Sequence, residues 1–187
     1  MYKRQEYVSA NTIVLGLAIE HVLSMPYAEA IEKLVWSRIG AEADALVSVN
    51  DLGYAYSSGG LSARLRDIAR FGQVYTAPGL SGVLSAKQVL DMRVEGIALS
   101  AADADAGSDR TDAAQRAAWQ WDAIWSDGGM YKGGYLGQGL YVDPGRRLVV
   151  AWFGTGLAFS EQMNEMLPVT RQLVRAGLFD LPEQGQN

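Results

Sequence analysis

Apolar residues recur at helical spacing from about Thr12 to Leu23, at Ile13, Val14, Leu17, Ala18 and Val22. The pattern predicts a helix with Thr12 or Asn11 as its N-cap. A second helix is expected after Pro26, a residue suited to a first turn. It runs through Ala30, Ile31, Leu34, Val35 and Trp36, with Gly40 as its terminator. Gly59-Gly60 opens a turn, and Leu61 to Phe71 reads as a third helix with the apolar stripe Leu61, Leu65, Ile68 and Ala69. Arg66, Asp67 and Arg70 are expected toward solvent or a rim. Ser85 to Val94 predicts a fourth helix that begins at a serine cap. Ser100 to Asp112, rich in Ala, Asp and Gly, reads as a loop.

The character of the chain then changes. Trp119 to Trp125 and Met130-Tyr131 are aromatic and punctuated by glycine. Leu140 to Phe153 carries a β-hairpin pattern, in which Pro144 and Gly145 suit the two central positions of a type II turn. The arm Leu148 to Phe153 is almost wholly apolar, as in a strand buried on both faces. A last helix is expected over Ser160 to Ala176, stopped by Gly177. The predicted class is α/β of the α+β type, one domain over residues 1–187. Residues up to about 112 are mainly helical, and those from about 113 form antiparallel strands and a C-terminal helix.

Composition removes several kinds of chemistry. Cysteine is absent, which excludes disulfides, zinc thiolates and thiol nucleophiles. A single histidine, His21, rules out a multi-histidine metal site within one chain. The net charge of −5 argues against a nucleic-acid partner. No apolar run reaches membrane-spanning length. No signal-peptide pattern is visible, and the compartment stays open. Neither a metal nor an organic cofactor is expected. Asp103, Asp105, Gly107 and Asp109 only faintly match a calcium loop, because the glycine is misplaced and Ala114 stands where a glutamate is needed.

Two segments carry candidate chemistry. Tyr7-Val-Ser9 precedes the first helix and could aim a phenol into a cleft at the helix start. A tyrosine works as a base only when nearby cations lower its pKa from about 10. The plainer reading is an aromatic staple before a helix. Lys132-Gly133-Gly134 precedes the hairpin, and its two glycines allow close approach of backbone N–H groups to a ligand. The plainer reading there is a turn with a solvated lysine. Trp119, Trp121 and Trp125 suit a cleft lining or a core equally. His21 reads as a surface residue, and Ser57-Ser58 as a turn.

Taken together, these segments resemble the serine β-lactamase, penicillin-binding-protein and esterase superfamily, in particular its class C-like branch with the 6-aminohexanoate-dimer hydrolases. The match rests on Tyr7-Val-Ser9 with Leu15-Gly16, and on Gly59-Gly60-Leu61. It rests also on Arg66-Asp67-Ile68-Ala69-Arg70-Phe71-Gly72, Lys132-Gly133-Gly134, Gly137-Gln138 and Tyr141-Val142-Asp143-Pro144. It runs from about Tyr7 to about Ala176. The resemblance implies hydrolysis of a small ester, amide or lactam through an acyl-serine, with Tyr7 as general base. Ser9 would orient substrate, and Lys132, Gly133 and Gly134 would hold its carboxylate or stabilise an oxyanion.

The departures are equally specific. The family nucleophile lies in Ser-x-x-Lys, upstream of the tyrosine element. The residues three before Lys33, Lys87 and Lys132 are Ala30, Leu84 and Gly129, so the motif is absent from these 187 residues. Ser9 replaces an asparagine, and Gly133 stands where many members carry threonine. The expectation is a β-lactamase-like fold without its first strands and nucleophile helix, inactive alone. Its partner would be the missing N-terminal half or a second copy. The alternative is a non-catalytic interaction module that pairs with another chain.

Overall fold

The computed structural model describes residues 8–99, 114–155 and 166–180. The chain divides into two compact units, Met1–Asp67 and Ile68–Asn187.

The first unit holds helices α1 (Ser9–Leu23) and α2 (Tyr27–Leu34), a 3-10 turn at Trp36–Arg38, and the short strands β1 (Leu46–Val47) and β2 (Leu61–Ser62). Helix α1 starts earlier than the spacing suggests. Its N-cap is Val8, with no side-chain cap, so neither Asn11 nor Thr12 performs that role. The chain turns after Ser24 in a left-handed conformation, and the Glu20 carboxylate accepts the Tyr27 N–H at 2.8 Å. Trp36 is buried and donates through Nε1 to the Ala43 carbonyl, which fixes the segment past Gly40. The expected helix through Trp36 is shorter: α2 ends at Leu34 with Val35 as its C-cap, so Gly40 (φ +68°) does not stop it but follows the 3-10 turn.

Leu61-Ser62 is a strand rather than the opening of a helix. It pairs antiparallel with Leu46-Val47, a partner 15 residues upstream that helical periodicity cannot reveal. Helix α3 therefore runs over Leu65–Thr76. Asp67, expected at a rim, is fully buried, and its Oδ1 accepts the Glu42 N–H at 2.9 Å. A first-turn carboxylate is favourable beside the helix N-terminus, and here it also ties down the loop after Gly40.

The second unit is built on a six-stranded antiparallel sheet. Its order is β3 (Ile97–Ala98), β4 (Arg116–Ala118), β5 (Trp121–Ile124), β6 (Met130–Gly133), β7 (Gly139–Asp143) and β8 (Leu148–Trp152). Helix α4 (Ala86–Val94) precedes it, with the expected cap: Ser85 accepts from the Gln88 N–H, and Gln88 answers at the Ser85 N–H. Register puts Ala123, Tyr131, Tyr141 and Val150 in one cross-strand row. These pack with Trp125, Trp152, and Leu167 and Val174 of α5 (Met166–Arg175). By the pleat, Leu140 and Val149 face the other way, against Gly72 of α3, where a Cβ would meet Val149 at 2.5 Å. Helices thus cover both faces, and the apolar run of β8 follows from that.

The turn between β7 and β8 differs from the type II expectation. It spans four residues, Pro144 to Arg147, and the positive φ falls on Arg147 (52°) rather than on Gly145. Buried Asp143 accounts for this. Its carboxylate accepts the Arg146 N–H at 3.0 Å and pairs with the Arg146 guanidinium at 2.8 Å, curling the turn back over the strand end. Gly177 (φ 74°) stops α5 as expected. The loop at 100–112, with Asp103, Asp105, Gly107 and Asp109, lies outside the described residues, as does the start of the last predicted helix.

Candidate functional site: the glycine-rich end of strand β6

The described candidate residues of the second unit sit at one sheet end. Lys132 opposes Leu140 and Gly133 opposes Gly139 in the β6–β7 ladder. Gly134 extends the strand, and its N–H donates to the Gln138 carbonyl at 2.8 Å, closing a loop. Within that loop Leu136 is left-handed at φ 61°, ψ 27°, and Gly137 follows at φ 80°. Trp152 Nε1 donates to the Gly137 carbonyl at 2.9 Å. A Cβ on Gly154 would lie 2.4 Å from the Leu136 carbonyl oxygen, so the segment just after β8 packs closely against the loop. A left-handed leucine costs about 1 kcal/mol or more, and such a conformation persists only where its surroundings over-determine it.

Two aromatic rings set the floor. Tyr131 and Trp152 stack with ring centroids 5.9 Å apart and planes 6° from parallel. A Cβ on Gly139 would lie 2.4 Å from Trp152, and one on Gly133 would lie 2.6 Å from the Tyr131 hydroxyl. Both glycines are therefore required by close approach, an origin distinct from the backbone freedom the sequence suggests.

The central polar feature is Asp122, which sequence reasoning passed over. Its Oδ1 lies 2.6 Å from Lys132 Nζ, and its Oδ2 accepts the Gly133 N–H at 2.7 Å. An ammonium and a backbone N–H thus grip one carboxylate, with the lysine and aspartate side chains each about one-third exposed. The signal was in the chain, because Ala123 pairs with Tyr131 and the ladder then sets Asp122 beside Lys132. Sequence separation alone conceals that neighbourhood.

Tyr7 lies outside the described residues. Ser9 is the first residue of α1, half-buried, in the other unit. Among the described residues, burial pushes the phenols of Tyr27, Tyr75, Tyr131 and Tyr141 upward, which suits packing and not a base at neutral pH. Trp121 and Trp125 are core residues. Trp121 meets Tyr75 edge to face at 5.0 Å, and Trp125 lies 4.4 Å beneath the Arg171 guanidinium. Trp119 is exposed in a tight turn. His21 is exposed on α1, and the Ser57 hydroxyl donates to the Thr12 carbonyl. No group of three or more metal-ligating side chains exists among the described residues.

The described residues of the second unit thus form an antiparallel sheet flanked by helices, with a glycine-rich end to β6. Residues 2–174 match the Beta-lactamase family description, and the chain belongs to that family. It is 31% identical over 144 residues to the 6-aminohexanoate-dimer hydrolase of Paenarthrobacter ureafaciens, covering 74% of this chain and 36% of that protein. In structure it resembles a Bacillus anthracis protein provisionally named a 6-aminohexanoate-dimer hydrolase. The TM-score there is 0.74 at 22% identity, over 97% of this chain and 46% of that one. A beta-lactamase from Mycobacterium bovis follows, with a TM-score of 0.66 at 15% identity, over 95% of this chain and 65% of that one. The chain spans less than half the length of both 6-aminohexanoate-dimer hydrolase relatives.

Proposed function

We propose that this chain forms the substrate-side portion of a serine hydrolase that cleaves an ester, amide or lactam bond through an acyl-serine. The substrate class nearest to its relatives is a small linear amide such as a 6-aminohexanoate dimer. The observation that carries the reading is the grip of Lys132 Nζ and the Gly133 N–H on a carboxylate, at 2.6 and 2.7 Å, on a strand end of a family member. Asp122 occupies that grip. A substrate carboxylate, or the oxygen of a tetrahedral intermediate, would take the same donors in its place.

Tyr7 is assigned the general base, and Ser9 the orientation of substrate. The nucleophile must come from a Ser-x-x-Lys element that these residues do not contain. Without its lysine beside it, the Tyr7 phenol lacks the cation that would lower its pKa, and nothing accepts the acyl group. The 187-residue chain is therefore expected to release no product from nitrocefin or p-nitrophenyl esters. A stoichiometric burst of product would overturn the reading.

A second reading, an interaction module that pairs with another chain, draws support from the exposed apolar surface of α1. The two readings converge if the other chain carries the nucleophile.

A further inference from the structure

At the glycine-rich end of β6 a side chain stands where the ladder would place a backbone group. Strands β5 and β6 pair Ala123 with Tyr131 and Ile124 with Met130, and the register goes no further toward Gly133. Successive N–H groups along a strand point to opposite edges. The Gly134 N–H faces β7, where it donates to the Gln138 carbonyl, so the Gly133 N–H faces β5. A continued ladder would meet it with the Trp121 carbonyl, opposite Gly133 in the same register. The Asp122 carboxylate takes that donor instead at 2.7 Å, and its other oxygen lies 2.6 Å from Lys132 Nζ. A strand carbonyl is fixed by its backbone, whereas a side chain leaves by rotation about χ1. Exposure separates this carboxylate from the structural one at Asp143. Asp143 is 0% exposed as it holds Arg146, and turning away would strand its charge in the core. The Asp122 side chain is 38% exposed, so on release it is hydrated. Exposed ion pairs contribute little to stability, and opening this one costs the fold little.

Resting on the serine-hydrolase reading above, we infer that Asp122 is a specificity-determining residue: it closes the grip of Lys132 and Gly133, and a substrate ending in a free carboxylate enters only after Asp122 swings out. The displaced aspartate stays on β5 beside the incoming group, so two like charges then stand at one strand end. An uncharged substrate that lies along the strand without entering the grip meets neither obstacle. With the grip open about a tenth of the time, affinity for a carboxylate falls about tenfold. The strand end thereby favours esters and blocked amides over free acids.

The test uses the 187-residue chain and two probes, 6-acetamidohexanoate and its uncharged N-methylamide, titrated while the Gly133 amide signal is followed by NMR. Asp122→Ala is expected to bind the carboxylate about tenfold more tightly than the unchanged chain, and the N-methylamide equally. Asp122→Asn keeps the size and removes the charge, and a smaller gain in the same direction is expected. Adding Lys132→Ala to Asp122→Ala should abolish the gain. Melting temperatures check that each variant folds, and Asp122→Asn carries the comparison if Asp122→Ala does not. Equal carboxylate affinity in the Asp122 variants and the unchanged chain overturns the inference, as does a gain that survives the loss of Lys132. Carboxylate binding by the unchanged chain as tight as that of Asp122→Ala, and dependent on Lys132, would remove the role of Asp122 and leave the grip standing. A Gly133 signal unmoved by the carboxylate in every variant would remove both, so the inference and the reading beneath it fail separately.

Discussion

The two units handle apolar side chains in opposite ways. In the second, Tyr141, Ile124, Met130, Val142, Leu167 and Val174 are all less than 2% exposed, sealed between strands and helices. In the first, the longest helix buries Gly16 alone and faces water with its valines and leucines. Both units are similarly rich in such residues, so hydrophobicity alone does not produce a core. A core needs a second layer, which the sheet of the second unit has in α3 and α5 and which α1 lacks among the described residues.

The sharpest test of this contrast is Arg171, buried at 5% exposure. It donates to the Tyr141 hydroxyl at 2.9 Å, pairs with Asp127 at 3.0 Å and covers Trp125. Arg171→Ala is expected to destabilise the chain by about 3–5 kcal/mol in urea unfolding, since it strands a carboxylate and a phenol. Gly139→Val, which drives a Cβ into Trp152, is expected to cost about 1–3 kcal/mol. If either change is silent, the second unit is not the rigid half.

Alkali should also weaken the second unit. Burial raises Tyr75 from 10.0 to about 12, and Tyr131 and Tyr141 rise for the same reason. The folded-state pKa lies above the unfolded one, so this stabilisation is complete below about pH 10 and is lost as pH climbs through about 12. Melting temperatures of the second unit, read by tryptophan fluorescence, should fall between pH 10 and 12.

Smaller effects refine the picture. Trp119 and Gln120 form a two-residue turn with φ of 49° and 71°, a conformation that favours glycine at the second position. Gln120→Gly is expected to stabilise by about 0.5 kcal/mol in the same assay. Val22→Glu on α1 should change stability by less than about 0.5 kcal/mol, because it removes no packed contact. A large loss there would mean that α1 is covered in the isolated chain.

What the sequence made legible follows from the range of each interaction. Local signals read correctly: the serine cap of α4 at Ser85, the glycine stop at Gly177, and the antiparallel hairpin ending in β8. Signals that depend on distant partners did not. Leu61 became a strand through Leu46 and Val47, and Asp67 went inside to meet Glu42. The turn at Pro144 followed the buried carboxylate of Asp143 rather than the Pro-Gly pair. At the candidate site, Lys132, Gly133 and Gly134 were visible as a motif, whereas Asp122 becomes their neighbour only through strand register. Tyr7 is outside the described residues, so its role rests on the family pattern alone.

Asp122 gives the strand end a property of its own. Any anion that approaches Lys132 and Gly133 meets a competitor already tethered beside them, held at high effective concentration by the adjoining strand. Simple carboxylates such as acetate should therefore bind feebly. If the proposed reading holds, a ligand that succeeds must bring further contacts beyond its charge, and this built-in rival would reward shape over charge.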